Sequence, residues 1–355
     1  MKICVYTIAK NEEQFVNRFM DSAKGADSIC VLDTGSTDST VEMLKKRGAI
    51  VAIKTVVPWR FDVARNLSLE LIPEDTDVCV CVDLDEVLCD GWRESIEQAW
   101  TEKTTCGRHR LVWSHDAVGN AGGEYMGERV HKYGVYKWEN AAHNILVPLS
   151  DSVQTYIPDF RIDHYPDTTK QRPDYISMLK LDVVEKPNST RAAHYLGREY
   201  MYKGMYQKAI TTLKSGLLLC GSSWKAERAT SMRYIAKCYE NSGDKDLALA
   251  WFYRACAECK IREPLVDMAL FLYRAGNRAG TAYFASEALK ITDKLSYISY
   301  PEAWGATPHD LLSVASWYLG DKKKSLVHAQ LACELNPQDE RLKKNLELVK
   351  GGQNG

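Results

Sequence analysis

The sequence has no surplus of charge of either sign and no long apolar run. Its 355 residues include 46 lysines and arginines against 47 aspartates and glutamates, which gives a formal net charge of −1. This balance gives no strong nucleic-acid signal, since proteins that bind nucleic acid or acidic membrane surfaces usually carry a basic excess. No stretch reaches the ~18 uninterrupted apolar residues of a membrane span. The composition therefore favours an ordinary globular protein without a membrane span.

The amino terminus also lacks the features of a secretory signal. The residues MKICVYTIAKNEE run directly into an apolar strand, with no charged leader and no small-residue cleavage site. We therefore expect a cytoplasmic protein whose eleven cysteines stay reduced. Several lie inside apolar runs, where a thiol acts as a small core side chain. Cys256 and Cys259 form a lone CxxC, which is weak evidence for a metal without a matching second pair.

The residue patterns divide the chain into two parts of different character, and the chain length also favours two domains. Before Pro173, β-rich runs alternate with helical patterns, which is typical of an α/β sheet. We predict strands at 3–9, 28–33, 51–56 and 77–85, and a helix over 61–71. Helical patterns dominate after Pro173. The prediction is an α/β domain over 1–170 followed by an all-α domain over 171–355.

A tyrosine and a glycine recur together in the second part, where paired helices would turn. The four pairs are Tyr200 with Gly204, Tyr239 with Gly243, Tyr273 with Gly276, and Tyr318 with Gly320. Successive glycines are separated by 39, 33 and 44 residues, which brackets the ~34-residue tetratricopeptide unit. The spacing predicts a tetratricopeptide-like array, with an irregular helical bundle as the alternative. Such arrays usually bind peptides or protomers on a concave face.

Two aspartates end the fourth predicted strand. Asp83 and Asp85 stand one residue apart in VDLDE, directly after an apolar run. Ligands of open α/β sheets bind at the carboxyl ends of the strands. Hard oxygen ligands suit Mg²⁺ or Mn²⁺, and these ions usually bridge a bound diphosphate. The pair therefore predicts a metal site, with simple decoration of a strand end as the alternative.

Polar clusters also follow the first two strands. TIAKNEE occupies 7–13, and LDTGSTDST occupies 32–40. In the second cluster Asp33 ends a strand, and Gly35 permits tight backbone geometry. Three successive strands thus deliver polar side chains to one edge of one sheet, which predicts a ligand site there.

The order of these motifs resembles that of the inverting family 2 glycosyltransferases with a GT-A fold, a Rossmann-like mixed sheet. The matching series is T-x-A-K-N-E-E, L-D-T-G-S-T-D-x-T, D-V-A-R-N and V-D-L-D-E, and the resemblance covers residues 1–165. It is greatest to the branch in which such a domain precedes tetratricopeptide repeats. That branch includes the enzymes that glycosylate cysteine in glycocin bacteriocins. The resemblance implies transfer of a hexose from a UDP-sugar, such as UDP-glucose.

The resemblance also implies roles for individual residues. Asp85 would be the main metal ligand, Asp83 would contact the metal or the ribose, and His164 would complete the metal site. The residues implied to bind the nucleotide-sugar are Thr7, Ala9, Asn11, Glu12, Asp33, Gly35, Ser36, Asp62, Arg65, Asn66, Asp83 and Leu84. Arg65 would bind phosphate, since a guanidinium can pair with oxyanions through two hydrogen bonds; a solvated helix face is its alternative.

The catalytic base is missing from its expected place. WENAAHN at 138–144 resembles the family segment G-x-x-H-E, but Asn144 replaces the glutamate. An asparagine cannot act as the base that removes a proton from the acceptor substrate. Asp116, Glu139 and His143 are the replacement candidates. A thiol acceptor would need little deprotonation, and impaired transfer is the third possibility.

Several alternatives stay open at this stage. The acceptor is expected to be a peptide or protein held by the repeats, but saccharide, lipid-linked and modified-DNA acceptors fit similar catalytic domains. A non-catalytic scaffold that binds nucleotide is the rival from another class, and a nucleotidyltransferase is disfavoured because TIAKNEE is not a glycine-rich triphosphate loop. The amphipathic last helix, DERLKKNLELVK, is expected to cap the array or to join a second copy in a homodimer.

Overall fold

The protein is described by a computed structural model covering residues 1–116, 119–167, 175–219, 224–294 and 298–351. The chain forms two compact units, residues 1–185 and 186–355. The expected boundary between residues 170 and 171, and the change of pattern at Pro173, lie outside the described residues. The predicted fold class, an α/β domain followed by an all-α domain, is confirmed.

The first unit contains an eight-stranded mixed sheet and a two-stranded ribbon. The strands are β1 Ile3–Ala9, β2 Ser28–Asp33, β3 Ile50–Ile53, β4 Val78–Cys81, β5 Glu86–Leu88, β6 Cys106–Val112, β7 Glu124–Lys132, β8 Tyr136–Glu139, β9 Ile145–Pro148 and β10 Gln154–His164. The sheet order is β3-β2-β1-β4-β7-β6-β10-β5, and β8 pairs with β9. The third and fourth strands are shorter than predicted. β3 ends at Ile53, five residues before Pro58, and β4 ends at Cys81, before the turn that carries Asp83 and Asp85.

Strand direction decides which loops meet. β3, β2, β1 and β4 are parallel neighbours. β7 is antiparallel to both β4 and β6, and β10 is parallel to β6. It follows that six strands (β1, β2, β3, β4, β6 and β10) have their carboxyl ends at the same edge, which we call the carboxyl edge. β5 is antiparallel to β10, so the segment from Val82 to Asp85 enters β5 from this edge.

Helices cover the sheet and supply its apolar core. Those of the first unit are α1 Glu13–Ser22, α2 Thr40–Lys46, α3 Phe61–Leu69, α4 Trp92–Ala99 and α5 Ile176–Glu185. α1 is amphipathic and buries Val16, Phe19 and Met20 in the larger core cluster, together with alternate residues of β1 and β4. The opposite face of β1, β2 and β4 carries Cys4, Cys30, Cys79 and Cys81, which are buried free thiols as predicted.

The second unit consists of paired helices. They are α6 Thr190–Tyr202, α7 Tyr206–Leu218, α8 Lys225–Asn241, α9 Lys245–Glu258, α10 Arg262–Arg274, α11 Arg278–Leu289, α12 Pro301–Trp304, α13 Thr307–Tyr318, α14 Lys322–Leu335 and α15 Glu340–Gly351. The four recurring glycines lie between paired helices, each with a positive φ between 70° and 89° that suits glycine. The predicted helical hairpins are therefore confirmed. Leu342 and Val349 of α15 are buried, so this helix packs within the unit as a cap.

Within the part of the chain that the structure describes, no helix combines the length and the apolar character needed to cross a membrane.

Candidate functional site

The loops after β1 and β2 are joined by hydrogen bonds at the carboxyl edge. The amide of Asn11 donates to the Ser36 hydroxyl over 2.8 Å, and the Asn11 side-chain oxygen accepts from the Thr37 amide over 2.7 Å. Asn11 has a φ of 52°, a conformation that asparagine tolerates better than most residues. The amide of Glu12 donates to the Thr40 hydroxyl over 2.8 Å. The first two sequence clusters thus form one structure.

Asp33 organises the second of these loops. One carboxylate oxygen accepts from the Gly35 amide over 3.0 Å and from the Ser36 amide over 2.9 Å, and the other accepts from the Ser36 hydroxyl. Gly35 has a φ of 112°, which a side chain would strain. Asp33 is fully buried, so in this structure it shapes the loop rather than offering a ligand surface.

Three other residues implied to bind nucleotide have little or no exposed surface. Thr7 and Ala9 lie on β1 and are 0% and 2% exposed. Leu84 is 1% exposed and packs in the larger core cluster. Thr7 and Ala9 are two residues apart and so lie on the same face of β1, whereas Leu84 is buried in the turn between β4 and β5.

The residues of α3 hold neighbouring segments. Asp62 accepts two hydrogen bonds from Arg60, over 3.0 and 2.9 Å. The Asn66 side chain donates to the Trp138 carbonyl over 2.9 Å and accepts from the Trp138 amide over 2.8 Å. Asn66 thereby fixes β8 against α3.

Asp83 lies between two arginines. Arg65 donates to one of its oxygens over 2.7 Å, and Arg129 of β7 lies 3.4 Å from the other. Burial raises the pKa of the Asp83 carboxyl, but Arg65 and Arg129 together lower it to about 2. Arg65 is 5% exposed and also contacts the Cys81 sulfur and the Trp138 ring. The alternative of a solvated helix face is therefore excluded for Arg65, and its partner in this structure is Asp83.

Glu86 completes this charged cluster. It accepts from the Asp83 amide over 2.8 Å and from Arg129 over 2.6 Å. Burial raises the pKa of the Glu86 carboxyl to about 7, although Arg129 lowers it. Neither Glu86 nor Arg129 was predicted as a site residue. Glu86 stands in the VDLDE motif, whereas Arg129 lies in β7 without a motif that marks it.

Asp85 and His164, two of the three residues that the resemblance implied for the metal, lie side by side. Asp85 Oδ2 lies 3.1 Å from His164 Nε2, and the two side chains are 24% and 28% exposed. The other ring nitrogen, Nδ1, donates to the Trp113 carbonyl over 3.2 Å. Burial lowers the pKa of His164, but the hydrogen bond and charge of Asp85 outweigh it and raise the pKa to about 9. A divalent cation has to displace this proton in order to bind here.

The geometry of this pair fits a divalent cation. Two adjacent ligands about 2.1 Å from an octahedral ion are about 3.0 Å apart, close to the observed spacing. A histidine ligand usually donates its second ring N–H to a carbonyl or carboxylate, as His164 does to Trp113. Among the described residues no group of three or more potential side-chain ligands is present. A cation held by this pair would need water or other oxygen ligands to complete its coordination, as is usual for Mg²⁺.

The three candidate bases occupy different settings. Asp116 accepts hydrogen bonds from the amide and the side-chain N–H of Asn120, over 2.8 and 3.0 Å. Glu139 forms an ion pair with Lys137 over 3.0 Å. His143 has a φ of 48° and stacks on Tyr175.

Asp182 of α5 anchors the loop that leads to His143. It accepts from the amides of Ala141 and Ala142 over 2.6 and 3.1 Å.

The structure therefore brings Asn11, Asp33 and Ser36 together in one loop pair, and Arg65 with Asp83 in one ion pair. The strand register connects the two groups. Ala9 lies opposite Asp33, and Tyr6 lies opposite Cys81, so the residues that follow emerge along neighbouring strands.

Comparison with known proteins agrees with the motif order. Residues 4–112 match Glycosyl transferase family 2. An uncharacterized glycosyltransferase of Rickettsia bellii is 35% identical over 97 residues, which are 27% of this chain and 32% of that protein. One from Rickettsia conorii is 36% identical over 97 residues, 27% of this chain and 33% of its own length. The chain thus spans about a third of the curated relatives it matches.

The crystal structure of MamA is similar at 17% identity and a TM-score of 0.37, over 46% of this chain and 87% of that one.

The match of residues 4–112 includes the polar loops after β1 and β2 and the pair Asp83 and Asp85. The segment that carries this part of the site is therefore similar to the family 2 glycosyl transferases, as its motifs predicted.

Proposed function

We propose that this protein is an inverting, metal-dependent glycosyltransferase that takes a hexose from a UDP-sugar. The observation that carries the proposal is the solvent-accessible pair of Asp85 and His164 at the carboxyl edge, with donor atoms 3.1 Å apart. The match of residues 4–112 to Glycosyl transferase family 2 supports the reaction class. UDP-glucose is the proposed donor, on the motif resemblance.

The proposed cation is Mn²⁺ or Mg²⁺, and Asp85 and His164 would hold it. Bound there, it would neutralise the negative charge that develops on the leaving diphosphate. Mn²⁺ suits a mixed nitrogen and oxygen pair better than Mg²⁺, which prefers oxygen. Asp83 is proposed to contact metal-bound water or ribose, because its side chain is 30% exposed although it pairs with arginine.

The chain's own residues prepare the nucleotide side of the site. The bonded loops after β1 and β2 fix the backbone of Asn11 and Ser36 before any ligand arrives. Such preorganisation reduces the conformational entropy that is lost when a ligand binds. Arg65 and Arg129 each contact one carboxylate oxygen of Asp83, so their proposed role is to position this carboxylate.

The proposed acceptor is a peptide or protein side chain, as in the glycocin-modifying branch that the motifs resemble. The helical unit supports this choice with a cavity of about 410 Å³, lined by Tyr202, Tyr234, Tyr300, Lys237 and Asn241 among others. Aromatic rings and amide groups are suited to peptide contacts. Association of two copies is also proposed, because repeat units often bind protomers.

The test is release of UDP from a panel of UDP-sugars with and without Mn²⁺. We expect Asp85→Asn to lower the Mn²⁺-dependent rate by about 10²-fold or more, since a charged ligand is lost. Asp75→Asn is the matched control, because Asp75 is exposed and pairs with Lys2 next to the amino end of β1. Undiminished turnover in Asp85→Asn would remove the metal site, and binding of UDP without any turnover would favour the scaffold.

A further inference from the structure

A histidine and an aspartate that the motifs do not single out meet beside the proposed metal pair. β6 and β10 are parallel neighbours, with Val112 opposite Asp163. The residues after Val112 and the end of β10 therefore lie next to each other at the carboxyl edge. His115 follows β6 and forms an isolated bridge with Ala121.

The aspartate fixes one nitrogen of the imidazole. His115 Nε2 lies 2.9 Å from Asp163 Oδ1, and Asp163 is 5% exposed. The second carboxylate oxygen accepts from Arg161 Nε over 2.7 Å. Because a carboxylate paired with arginine acts only as an acceptor, the proton between the two groups belongs to Nε2 of the ring. The nitrogen that can accept a further proton is then Nδ1.

An aromatic side chain fixes the plane of the ring. His115 stacks on Tyr165 with ring centres 4.6 Å apart and planes 1° apart. The side chain of His115 is 13% exposed. Across the described residues, His115 Nδ1 has no hydrogen-bond partner. A ring fixed in orientation, with one nitrogen available to a ligand, is the arrangement that a general base needs.

The same aromatic residue connects this histidine to the metal pair. Tyr165 directly follows His164, and its amide donates to the Asp85 carbonyl over 2.8 Å. His164 in turn donates to the Trp113 carbonyl, two residues before His115. The three backbone segments that carry His115, Asp85 and His164 are therefore joined by hydrogen bonds at the carboxyl edge.

We propose that His115 is the general base of the transfer reaction and that Asp163 is its positioning residue. The assignment rests on the proposed glycosyl transfer and fills the place left by Asn144. The acceptor oxygen or sulfur attacks the anomeric carbon and gives its proton to His115 Nδ1. The bond from that carbon to the diphosphate breaks, and its electron pair leaves with UDP. Asp163 stabilises the resulting imidazolium, which later releases the proton to solvent.

The experiment uses the full chain with Mn²⁺ and UDP-glucose, and water serves as the acceptor. We expect His115→Gln to lower the rate of UDP release by about 10²-fold to 10⁴-fold, while the calorimetric affinity for UDP with Mn²⁺ stays that of the wild type. Added imidazole is expected to restore UDP release to His115→Ala. His309→Gln, the same change in the helical unit, is the matched control and should have no effect.

Asp163→Asn tests the positioning role. Its amide can donate to Nε2 and favour the opposite tautomer, and the same exchange in serine-protease triads lowers kcat about 10⁴-fold. Nitrogen NMR of the histidine rings should show the Nε2–H tautomer of His115 in the wild type and its loss in Asp163→Asn.

Each failure has a distinct meaning. A wild-type rate in His115→Gln, or failure of imidazole to restore His115→Ala, overturns the assignment. Loss of UDP affinity in His115→Gln also overturns it, because that result indicates a structural role. If the wild type releases UDP from no UDP-sugar at all, the proposed function falls and the base assignment falls with it.

Discussion

A buried chain of hydrogen bonds behind β1 makes the first unit sensitive to acid. Trp138 Nε1 donates to the Tyr6 hydroxyl over 2.9 Å, and that hydroxyl lies 2.8 Å from His131 Nε2. His131 Nδ1 lies 3.0 Å from the Lys132 carbonyl and donates to it. His131 is 1% exposed and Tyr6 is fully buried. The imidazole is thus satisfied as a neutral ring, and a second proton has no acceptor.

The size of the effect follows from the pKa of His131. Burial lowers this pKa from 6.5 to about 4. Between pH 6.5 and about 4, the His131 side chain is protonated in the unfolded chain but neutral in the folded chain. Stability therefore decreases as the pH falls towards 4, and this group does not affect stability above pH 6.5. The full shift corresponds to about 3.4 kcal/mol at 1.36 kcal/mol per pKa unit. Between pH 7 and pH 5 about 2 kcal/mol of this is lost.

The assay compares the wild type with His131→Gln by urea unfolding at pH 7 and pH 5. Hydrogen exchange of peptides from β1 and β4 reports the first unit alone. We expect the wild type to lose about 2 kcal/mol more than the variant between the two pH values, which is about 30-fold in the unfolding equilibrium. Burial lowers the pKa of His109 to about 3, so His109 also decreases stability in acid. This effect is present in both proteins and cancels in the comparison. The raised pKa of His164 increases stability as the pH falls, and this effect also cancels because both proteins contain His164.

Equal losses of stability in the two proteins would refute the reasoning. That result would mean that the His131 imidazole is either already protonated in the folded state or reached by water.

Two further predictions concern buried pairs. Asn66→Asp should destabilise the first unit by about 1–3 kcal/mol, because the amide donor to the Trp138 carbonyl becomes an acceptor; urea unfolding measures this, and an unchanged midpoint would contradict it. Asp267→Ala should destabilise the helical unit by about 3–5 kcal/mol, because it leaves Arg233, 2.7 Å away and 4% exposed, as a buried unpaired charge. The double variant Arg233→Met with Asp267→Leu should recover most of that loss in thermal unfolding, and a double variant as unstable as Asp267→Ala would show that ion pairing is not the cause.

The parts of the fold that were predictable have a local physical cause. β1 and β2 appear in the sequence as apolar runs that end in polar residues, and both match their predicted bounds. The recurring glycines marked the helical turns because a left-handed backbone conformation favours glycine there. The predicted strand over 77–85 was too long, since Val82 and Leu84 remain apolar and buried after the pairing of β4 ends.

The site was predictable only as far as it follows from parallel strands. The carboxyl ends of β1, β2 and β4 meet because these strands are parallel neighbours, which βα alternation predicts. The contribution of β6 and β10 was not predictable in this way. These two strands are parallel to each other but separated from β4 by the antiparallel β7, and no local pattern in the sequence encodes that order.

The sequence by itself determined which side chains of β1, β2 and β4 stand at the carboxyl edge, because strand ends and their polar residues are set by neighbours along the chain. Only the tertiary structure decided the partner of each charged group. Arg129 reaches Asp83 across 46 residues, and Asp163 reaches His115 across 48. Electrostatic pairing depends on distance in space and on burial, and both are fixed only when the strands have assembled into one sheet.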